Sequence, residues 1–325
     1  MKKILKILVF FPLAALIVSL FFAYCEGKGK AAEQDVFSCL VAGYDEAAEN
    51  TDVIFIMSYN ENNNEVSFVQ IPRDTLSEYR GSFGKINRIY ALERAGGNGG
   101  EEALLSLRAA VESYLGIKID ASVALSLNAL LRFLDNFGGI EINVPEGVDI
   151  SSMPISLSYG KNKISSEDAM KLVRARSQYA NADLGRLDAQ KIFLEGLFRT
   201  VFNKLDAKRL VKLIFSHDGE VFVDAPVIEA TRLLMRDFGD IKRAKITLLT
   251  LPGEAVEYNG VSYYVVNRSA ASHAISGYLL GSRSDFDKEY RLTDAAFSSA
   301  NGIYGRKATS YKVYSDGKLI DITVN

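Results

Sequence analysis

The chain has 325 residues, with 38 lysine and arginine residues against 40 aspartate and glutamate residues, which gives a formal net charge of −2 at pH 7. A nearly neutral chain lacks the bulk basic charge with which proteins bind nucleic-acid phosphates, so we expect no nucleic-acid partner. Its two cysteines and two histidines exclude a four-cysteine zinc site, a histidine-rich metal centre and a disulfide framework.

The N-terminus predicts one transmembrane helix within residues 1–25. An uncharged run of 19 residues, Ile7–Cys25, follows three lysines in the first six residues. As a helix it spans roughly 28 Å, about the thickness of a hydrocarbon core. The lysines predict a cytoplasmic N-terminus in a single-pass protein of the cell membrane, with the rest of the chain outside. The alternative is a cleaved signal peptide, whose apolar region is usually shorter and ends in small residues, unlike Tyr24.

Residues 26–35 are polar and contain glycine, which is typical of a linker. Two apolar runs, Val36–Ala42 and Val53–Ser58, predict buried strands, and Val66–Ile71 predicts a hairpin partner beyond the turn Asn60–Asn64. Cys39 lies within the first run and is expected to be a small buried apolar residue rather than a catalytic thiol.

Helices and further strands follow in alternation, which predicts a two-layer or three-layer α/β arrangement. The predicted helices are Glu101–Tyr114, Ser126–Phe137, one that opens with the capping pattern Ser165–Asp168, Asp183–Asn203 and Val227–Asp237. The predicted strands or apolar segments are Ile140–Val144, Leu210–Phe215, Ile246–Leu251, a hairpin within Val256–Val266 and a hairpin around Asp316-Gly317. We expect one domain over residues 36–275 and a C-terminal extension, 276–325, to which no role is assigned.

Two carboxylates, Asp45 and Asp52, flank a short loop between the first two predicted strands. Carboxylates at strand ends are natural ligands for Mg2+, which prefers hard oxygen atoms and usually keeps a substrate phosphate as a further ligand. An acidic surface loop with no metal is the alternative interpretation of this spacing.

Basic residues at the ends of other elements indicate an anion site. Arg73-Asp74 follows the third strand, and Lys85 comes soon after it. Arg174 and Arg176 are two residues apart, so on a helix their side chains would point about 200° away from each other. If both bind one anion, the helix must end near Val173, because residues i and i+2 share a face only in an extended segment.

Asp183, Arg186 and Gln190 have the spacing i, i+3, i+7, which places them on one face of a helix. Asp183 is a good N-cap, so this face lies near the helix end that attracts anions. Arginine offers a planar fork of donors that suits phosphate. A solvated face with ordinary ion pairs is the alternative.

In combination and order, several short motifs resemble the LytR-CpsA-Psr family of cell-envelope enzymes. The motifs are Gly43–Asp45, Thr51–Val53, Ile71–Asp74, Lys85–Asn87, Asn136–Pro145, Val173–Arg176 and Asp183–Gln190. The resemblance implies a central mixed β-sheet flanked by helices, with an apolar groove for a polyprenyl chain. It also implies a membrane-anchored phosphotransferase that moves a glycopolymer, such as teichoic acid or capsule, from a polyprenyl-diphosphate carrier onto peptidoglycan.

The resemblance also implies roles for individual residues. Asp45 and Asp52 would hold Mg2+. The motifs identify no base for the attacking sugar hydroxyl, for which Asp74 and Asp183 are candidates. The diphosphate oxygens would be bound by Arg73, Arg174, Arg176 and Arg186, assisted by Gln190 and Lys85. Two alternatives stay open, a diphosphatase acting on the same lipid-linked substrate and a non-catalytic envelope protein of the same fold.

Overall fold

The computed structural model describes residues 36–135, 137–151, 153–174, 183–204, 220–224, 238–258, 260–280, 310–316 and 318–324. The predicted anchor and linker lie outside the described residues, as do the elements predicted at 210–215 and 227–237. No helix in the described part of the chain combines the length and the apolarity that a bilayer span requires.

The fold is α/β, with one mixed sheet of eight strands and three separate two-stranded hairpins. The strands are β1 (Val36–Tyr44), β2 (Thr51–Asn60), β3 (Glu65–Gln70), β4 (Leu76–Tyr79), β5 (Ser82–Lys85), β6 (Ala121–Ser126), β7 (Ile140–Val144), β8 (Gly160–Ile164), β9 (Val221–Asp224), β10 (Lys245–Thr250), β11 (Gly253–Tyr258), β12 (Val261–Val266), β13 (Ser310–Ser315) and β14 (Lys318–Thr323). The helices are α1 (Arg88–Ala95), α2 (Gly100–Leu115), α3 (Leu127–Asp135), α4 (Ser166–Arg174), α5 (Asp183–Lys204) and α6 (Arg268–Ile275), which continues into a π-helical turn, Ser276–Leu280.

The large sheet has the strand order β14-β13-β10-β3-β2-β1-β6-β9. Its centre is an antiparallel meander of β1, β2 and β3, in which β2 pairs with both neighbours. Parallel pairing adds β6 beside β1 and β10 beside β3. The remaining hairpins are β4–β5, β7–β8 and β11–β12.

Both faces of the sheet are covered, because successive side chains of its central strands enter different cores. In β1, Cys39 and Val41 belong to one buried cluster, whereas Leu40 and Ala42 belong to the other. Helices α3, α4 and α5 pack on the first face, and α1, α2 and α6 pack on the second. Strands buried on both faces appear as continuous apolar runs, which is why the first two were predictable from the sequence.

Several predicted elements are confirmed with shifted ends. The hairpin β2–β3 and the strand Ile140–Val144 form as predicted. Helix α4 is capped by Ser165, whose hydroxyl oxygen accepts a hydrogen bond from the Asp168 amide at 3.1 Å. The helix predicted from Ser126 begins at Leu127, because the residues before it form β6, which was not predicted.

The C-terminal hairpin predicted around Asp316-Gly317 forms, and it joins the large sheet. Strand β13 pairs antiparallel with β10, and β14 follows as the edge strand. Arg199 of α5 reinforces the join, since its Nη2 lies 3.1 Å from Asp316 Oδ1. Residues 310–323 of the C-terminal extension therefore complete one side of the sheet.

A buried acid, Glu93 of α1, holds together the segments around the loop that precedes α2. Its carboxylate accepts hydrogen bonds from the Tyr79 hydroxyl at 2.6 Å, from Asn98 Nδ2 at 2.6 Å and from the Ser106 hydroxyl at 3.4 Å. Arg80 Nη2 lies 2.7 Å from the same group. These contacts, with the Tyr79 hydrogen bond foremost, hold the pKa of Glu93 below its usual value, although burial acts in the opposite direction.

Cys39 is confirmed as a buried free cysteine. Burial raises the pKa of its thiol far above the usual value. Because the thiolate is the nucleophilic form, this side chain acts as a small apolar residue of the core.

Candidate active site

The loop between β1 and β2 carries the two carboxylates that the sequence singled out. Asp45 closes a tight turn, with its Oδ1 accepting from the amides of Ala47 and Ala48 at 3.0 and 3.1 Å. The β1–β2 register then shifts, so that Gly43 pairs with Val53 and Tyr44 with Thr51, which makes Asp52 the extra residue of a β-bulge. A bulge redirects a side chain out of the regular alternation, and bulges are common beside active sites.

Arg73 follows the third strand and joins Asp52 to a second pair of charges. Its Nη1 lies 2.7 Å from Asp52 Oδ1, with only 14% and 11% of the two side chains exposed. Asp74 Oδ1 lies 3.8 Å from Arg73 Nε and 3.1 Å from Lys85 Nζ. Four of the predicted site residues therefore form one chain of alternating charges.

Backbone hydrogen bonds through Asn87 fix this group in place. The Asn87 carbonyl accepts from both the amide and the hydroxyl of Thr51, and its amide donates to the Arg73 carbonyl at 3.2 Å. The Asn87 side chain precedes α1 without capping it. Two polar atoms here, Asn87 Oδ1 and Arg73 Nε, are buried without a hydrogen-bond partner. Such atoms are costly in a native protein and are common where a ligand or an ordered water completes the site.

Arg174 lies on the other side of the same loop. Its Nη2 lies 3.9 Å from Glu46 Oε2 and 3.4 Å from Asn128 Oδ1. Glu46 Oε1 also accepts from the Asn128 backbone amide at 2.6 Å, at the start of α3. Helix α4 is described as far as Arg174, and Arg176 lies outside the described residues, so the expectation that the helix ends near Val173 stays a prediction.

Gln190 lies beneath the loop rather than among the charges. Its side chain is buried, with Oε1 accepting from Gln70 Nε2 at 2.5 Å and Nε2 donating to the Val173 carbonyl at 3.1 Å. Both ends of the amide therefore tie α5 to β3 and to the last turn of α4, just before Arg174. This arrangement supports the position of Arg174.

A narrow apolar cavity of about 30 Å³ lies between the sheet and helices α3, α4 and α5. Gly43, Val173 and Gln190 line it, and of these Gly43 and Val173 are close in sequence to Asp45 and Arg174. Leu194 and Leu197 extend the lining along α5. The lining is apolar apart from Gln190, and it comes within two residues of Asp45 and within one residue of Arg174 along the chain.

The remaining predicted site residues are described only in part. Arg176 lies outside the described residues, and Asp183 and Arg186 lie in the first turn of α5, where side chains are not described. Sequence reasoning missed Glu46 and Asn128. Recognition of β6 would have placed Asn128 at a helix start beside the loop, but the small residues of Ala121–Ser126 carry no clear strand pattern.

The donor chemistry at Asp45 and Asp52 fits Mg2+, because both offer hard oxygen atoms at the same end of the β1–β2 hairpin. Among the described residues, no three His, Cys, Asp or Glu side chains gather into a metal-binding group. Mg2+ is often held by one or two carboxylates with substrate phosphates as the other ligands. Two aspartates therefore suit a metal that binds together with its substrate.

The chain is similar to a known protein family, to curated relatives and to a solved structure. The LytR-CpsA-Psr family model matches residues 24–276. The polyisoprenyl-teichoic acid–peptidoglycan teichoic acid transferase TagU of Bacillus licheniformis is 26% identical over 251 residues, which cover 73% of this chain and 75% of that protein. TagU of Bacillus subtilis is 26% identical over 253 residues, covering 74% and 76%. The crystal structure of B. subtilis TagT has a TM-score of 0.58 at 20% identity, covering 79% of this chain and 96% of that one, a likeness of fold.

Proposed function

The chain belongs to the LytR-CpsA-Psr family, and we propose that it transfers a glycopolymer, such as teichoic acid or capsule, from a polyprenyl-diphosphate carrier onto peptidoglycan. The curated relatives are named as transferases of teichoic acid from a polyisoprenyl carrier to peptidoglycan. The observation that carries the proposal is that Arg73 contacts Asp52 and Arg174 contacts Glu46, so that two arginines meet the β1–β2 connection, while Gly43 and Val173 line an apolar cavity. A lipid diphosphate needs both a cationic site and an apolar one.

In the proposed reaction, a peptidoglycan sugar hydroxyl attacks the sugar-proximal phosphorus of the lipid-linked glycopolymer. The new P–O bond joins the polymer to peptidoglycan, the bond to the bridging oxygen breaks, and polyprenyl phosphate leaves with that oxygen. The hydroxyl proton passes to a base, for which Asp74 and Asp183 are the candidates. Such a transfer depends on positioning and charge neutralisation, which arginines supply, rather than on a covalent nucleophile.

We propose that Mg2+ assists this chemistry and that Asp45 and Asp52 hold it. When bound, the ion supplies positive charge to the diphosphate oxygens. Arg73 lies against Asp52, so its guanidinium stands next to the proposed metal position and faces the same anion. Arg176 and Arg186 are proposed to complete the cationic site.

The proposal includes attachment to the cell membrane through residues 1–25, with the N-terminus in the cytoplasm and the catalytic domain outside. This orientation would bring the site to the carrier lipid and the peptidoglycan acceptor on one side of the bilayer. The supports are the apolar run Ile7–Cys25 and the lysines before it.

One assay separates the possible activities. The full chain in detergent is incubated with a polyprenyl-diphosphate glycan, Mg2+ and a peptidoglycan oligomer, with and without EDTA. Polymer linked to peptidoglycan supports the transferase, and free phosphorylated glycan alone would indicate a diphosphatase. No turnover together with no lipid binding would contradict both enzymatic functions. Calorimetric titration of inorganic pyrophosphate into wild type and Asp52→Asn, each in Mg2+ and in EDTA, tests the metal site independently of turnover, because Mg2+ should strengthen binding by wild type more than binding by the variant.

Filling the apolar cavity at Gly43 should weaken the binding of the lipid substrate. A Cβ at Gly43 would lie 3.3 Å from Leu127 Cδ2 and 3.4 Å from Val53 Cβ, so Gly43→Val fits only by occupying cavity space. We expect kcat/KM for the polyprenyl-linked substrate to fall at least about tenfold, since valine adds three carbon atoms and one methylene in an apolar pocket already changes binding by about that order. Steady-state kinetics with the lipid-linked glycan measures this change.

The matched control is Gly277→Val, because a Cβ there meets nothing within 4 Å. Binding of inorganic pyrophosphate should be the same in both variants and wild type, since it needs no apolar site. Equal kcat/KM for wild type and Gly43→Val would show that the cavity does not receive the lipid.

A further inference from the structure

The carboxylate of Glu46 lies beside Arg174, at a position where an anionic ligand could bind. Glu46 Oε1 accepts from the Asn128 amide at 2.6 Å, and Oε2 lies 3.9 Å from Arg174 Nη2. A free amide in the first turn of a helix and an arginine guanidinium are groups that also bind phosphate oxygens. Glu46 therefore has the contacts that an oxygen of an anionic ligand would have at this position.

A second glutamate of the same loop makes no such contact. Glu49 Oε1 lies 2.9 Å from Arg94 Nε, on the far side of the loop from Arg174. The two glutamates have similar exposed fractions, 29% for the Glu46 side chain and 32% for that of Glu49. They differ in which arginine they contact, and Arg94 belongs to none of the motifs of the proposed site.

We infer that Glu46 is an affinity-determining residue that competes with the substrate diphosphate for Arg174. The inference rests on the proposed function, because it takes Arg174 as a ligand of the diphosphate. At 3.9 Å and with 41% of the Arg174 side chain exposed, the contact is a loose one that a more highly charged anion displaces. The carboxylate partly neutralises Arg174 until the diphosphate arrives, and substrate binding includes the cost of breaking this contact.

Glu46→Gln isolates the charge from the structural role. The glutamine amide oxygen still accepts from the Asn128 amide, so the start of α3 keeps its cap, while Arg174 loses its competing anion. Exposed and half-exposed ion pairs are weak, and their loss corresponds to roughly a two- to fivefold change in an equilibrium constant. We expect Glu46→Gln to bind inorganic pyrophosphate about two- to fivefold more tightly than wild type.

The experiment is calorimetric titration of inorganic pyrophosphate into the full chain in detergent, in EDTA so that no metal takes part. Glu49→Gln is the matched control, because it removes the same charge from the same loop, and its affinity should equal that of wild type. In an Arg174→Ala background, Glu46→Gln should bring no gain. Thermal unfolding of each variant shows that the comparison is between folded proteins.

Weaker or unchanged binding in Glu46→Gln would overturn the inference, as would an equal gain in Glu49→Gln or a gain that persists without Arg174. Absence of pyrophosphate binding by both wild type and Glu46→Gln would overturn it as well. The transfer assay tests the proposed function separately. If Glu46→Gln binds pyrophosphate more tightly but wild type shows no transfer, the inference about Glu46 holds and the proposed function fails. If wild type shows transfer but Glu46→Gln binds pyrophosphate no more tightly, the proposed function holds and the inference fails.

Discussion

Replacement of Arg73 by alanine is expected to lower the rate of glycopolymer transfer by about 10²-fold, the usual cost of removing one preorganised donor that faces charge in a transition state. Arg73 is held from two sides, by Asp52 through Nη1 and by the Asn87 amide on its own carbonyl. Its Nε is buried without a hydrogen-bond partner, with Asp74 Oδ1 3.8 Å away. A fixed guanidinium with an unused donor is suited to an oxygen that gains charge during the reaction.

Three comparisons test this expectation. Arg73→Lys keeps the charge but loses the planar fork, so it should recover only part of the rate. Arg199→Ala is the matched control, because that arginine pairs with Asp316 in the C-terminal hairpin, and its rate should equal that of wild type. The rate is measured as kcat and KM with the lipid-linked glycan, alongside thermal unfolding. A wild-type kcat in folded Arg73→Ala would contradict the placement of this arginine in the reaction.

The central strands were predictable because burial on both faces produces continuous apolar runs, as in β1 and β2. Strand β6 was missed, since the six residues Ala121–Ser126 combine serine and alanine with only two larger apolar residues and show no regular alternation. The hairpin β4–β5 and helix α1 were missed because strands of four residues and a helix of eight are too short for a periodic pattern to stand out. The parallel pairs β1–β6 and β3–β10 join strands far apart in the chain, and no local pattern specifies such partners.

In the candidate site, too, local sequence motifs predicted some contacts but not those between residues that only the fold brings together. Motif order grouped Arg73 with Asp52, and the structure places the two side chains in contact. Helical spacing placed Gln190 on a phosphate-binding face, whereas its amide is buried between Gln70 and Val173. Glu46 was missed because its two partners, Asn128 and Arg174, come from elements that only the fold brings to the loop. The side-chain roles of Asp183, Arg176 and Arg186 stay predictions.

The largest expected effect on stability comes from Glu93, which lies outside the candidate site. Glu93→Ala removes the acceptor of the hydrogen bonds from Tyr79, Asn98 and Ser106. Hydrogen bonds to a charged acceptor contribute about 1.5–3 kcal/mol each, and part of that loss is recovered because the three donor side chains are half-buried or exposed and can bond to water instead. We expect the free energy of unfolding at pH 7 to fall by about 3 kcal/mol. Urea unfolding measures it, and Glu78→Ala, an exposed glutamate of the neighbouring strand, should change it little.

The difference in unfolding free energy between wild type and Glu93→Ala should also depend on pH, in a direction that follows from the pKa of Glu93. The pKa of Glu93 is lowered in the folded state, chiefly by the Tyr79 hydrogen bond, so the folded protein holds this carboxylate more strongly deprotonated than the unfolded chain does. Its contribution is present in full above the unfolded pKa of about 4.3 and is lost as the pH falls through the lower folded pKa. The stability gap between wild type and Glu93→Ala should therefore narrow on acidification below about pH 4.3. A gap of equal size at pH 7 and pH 3 would mean that the side chain stabilises the fold by packing rather than by its charge.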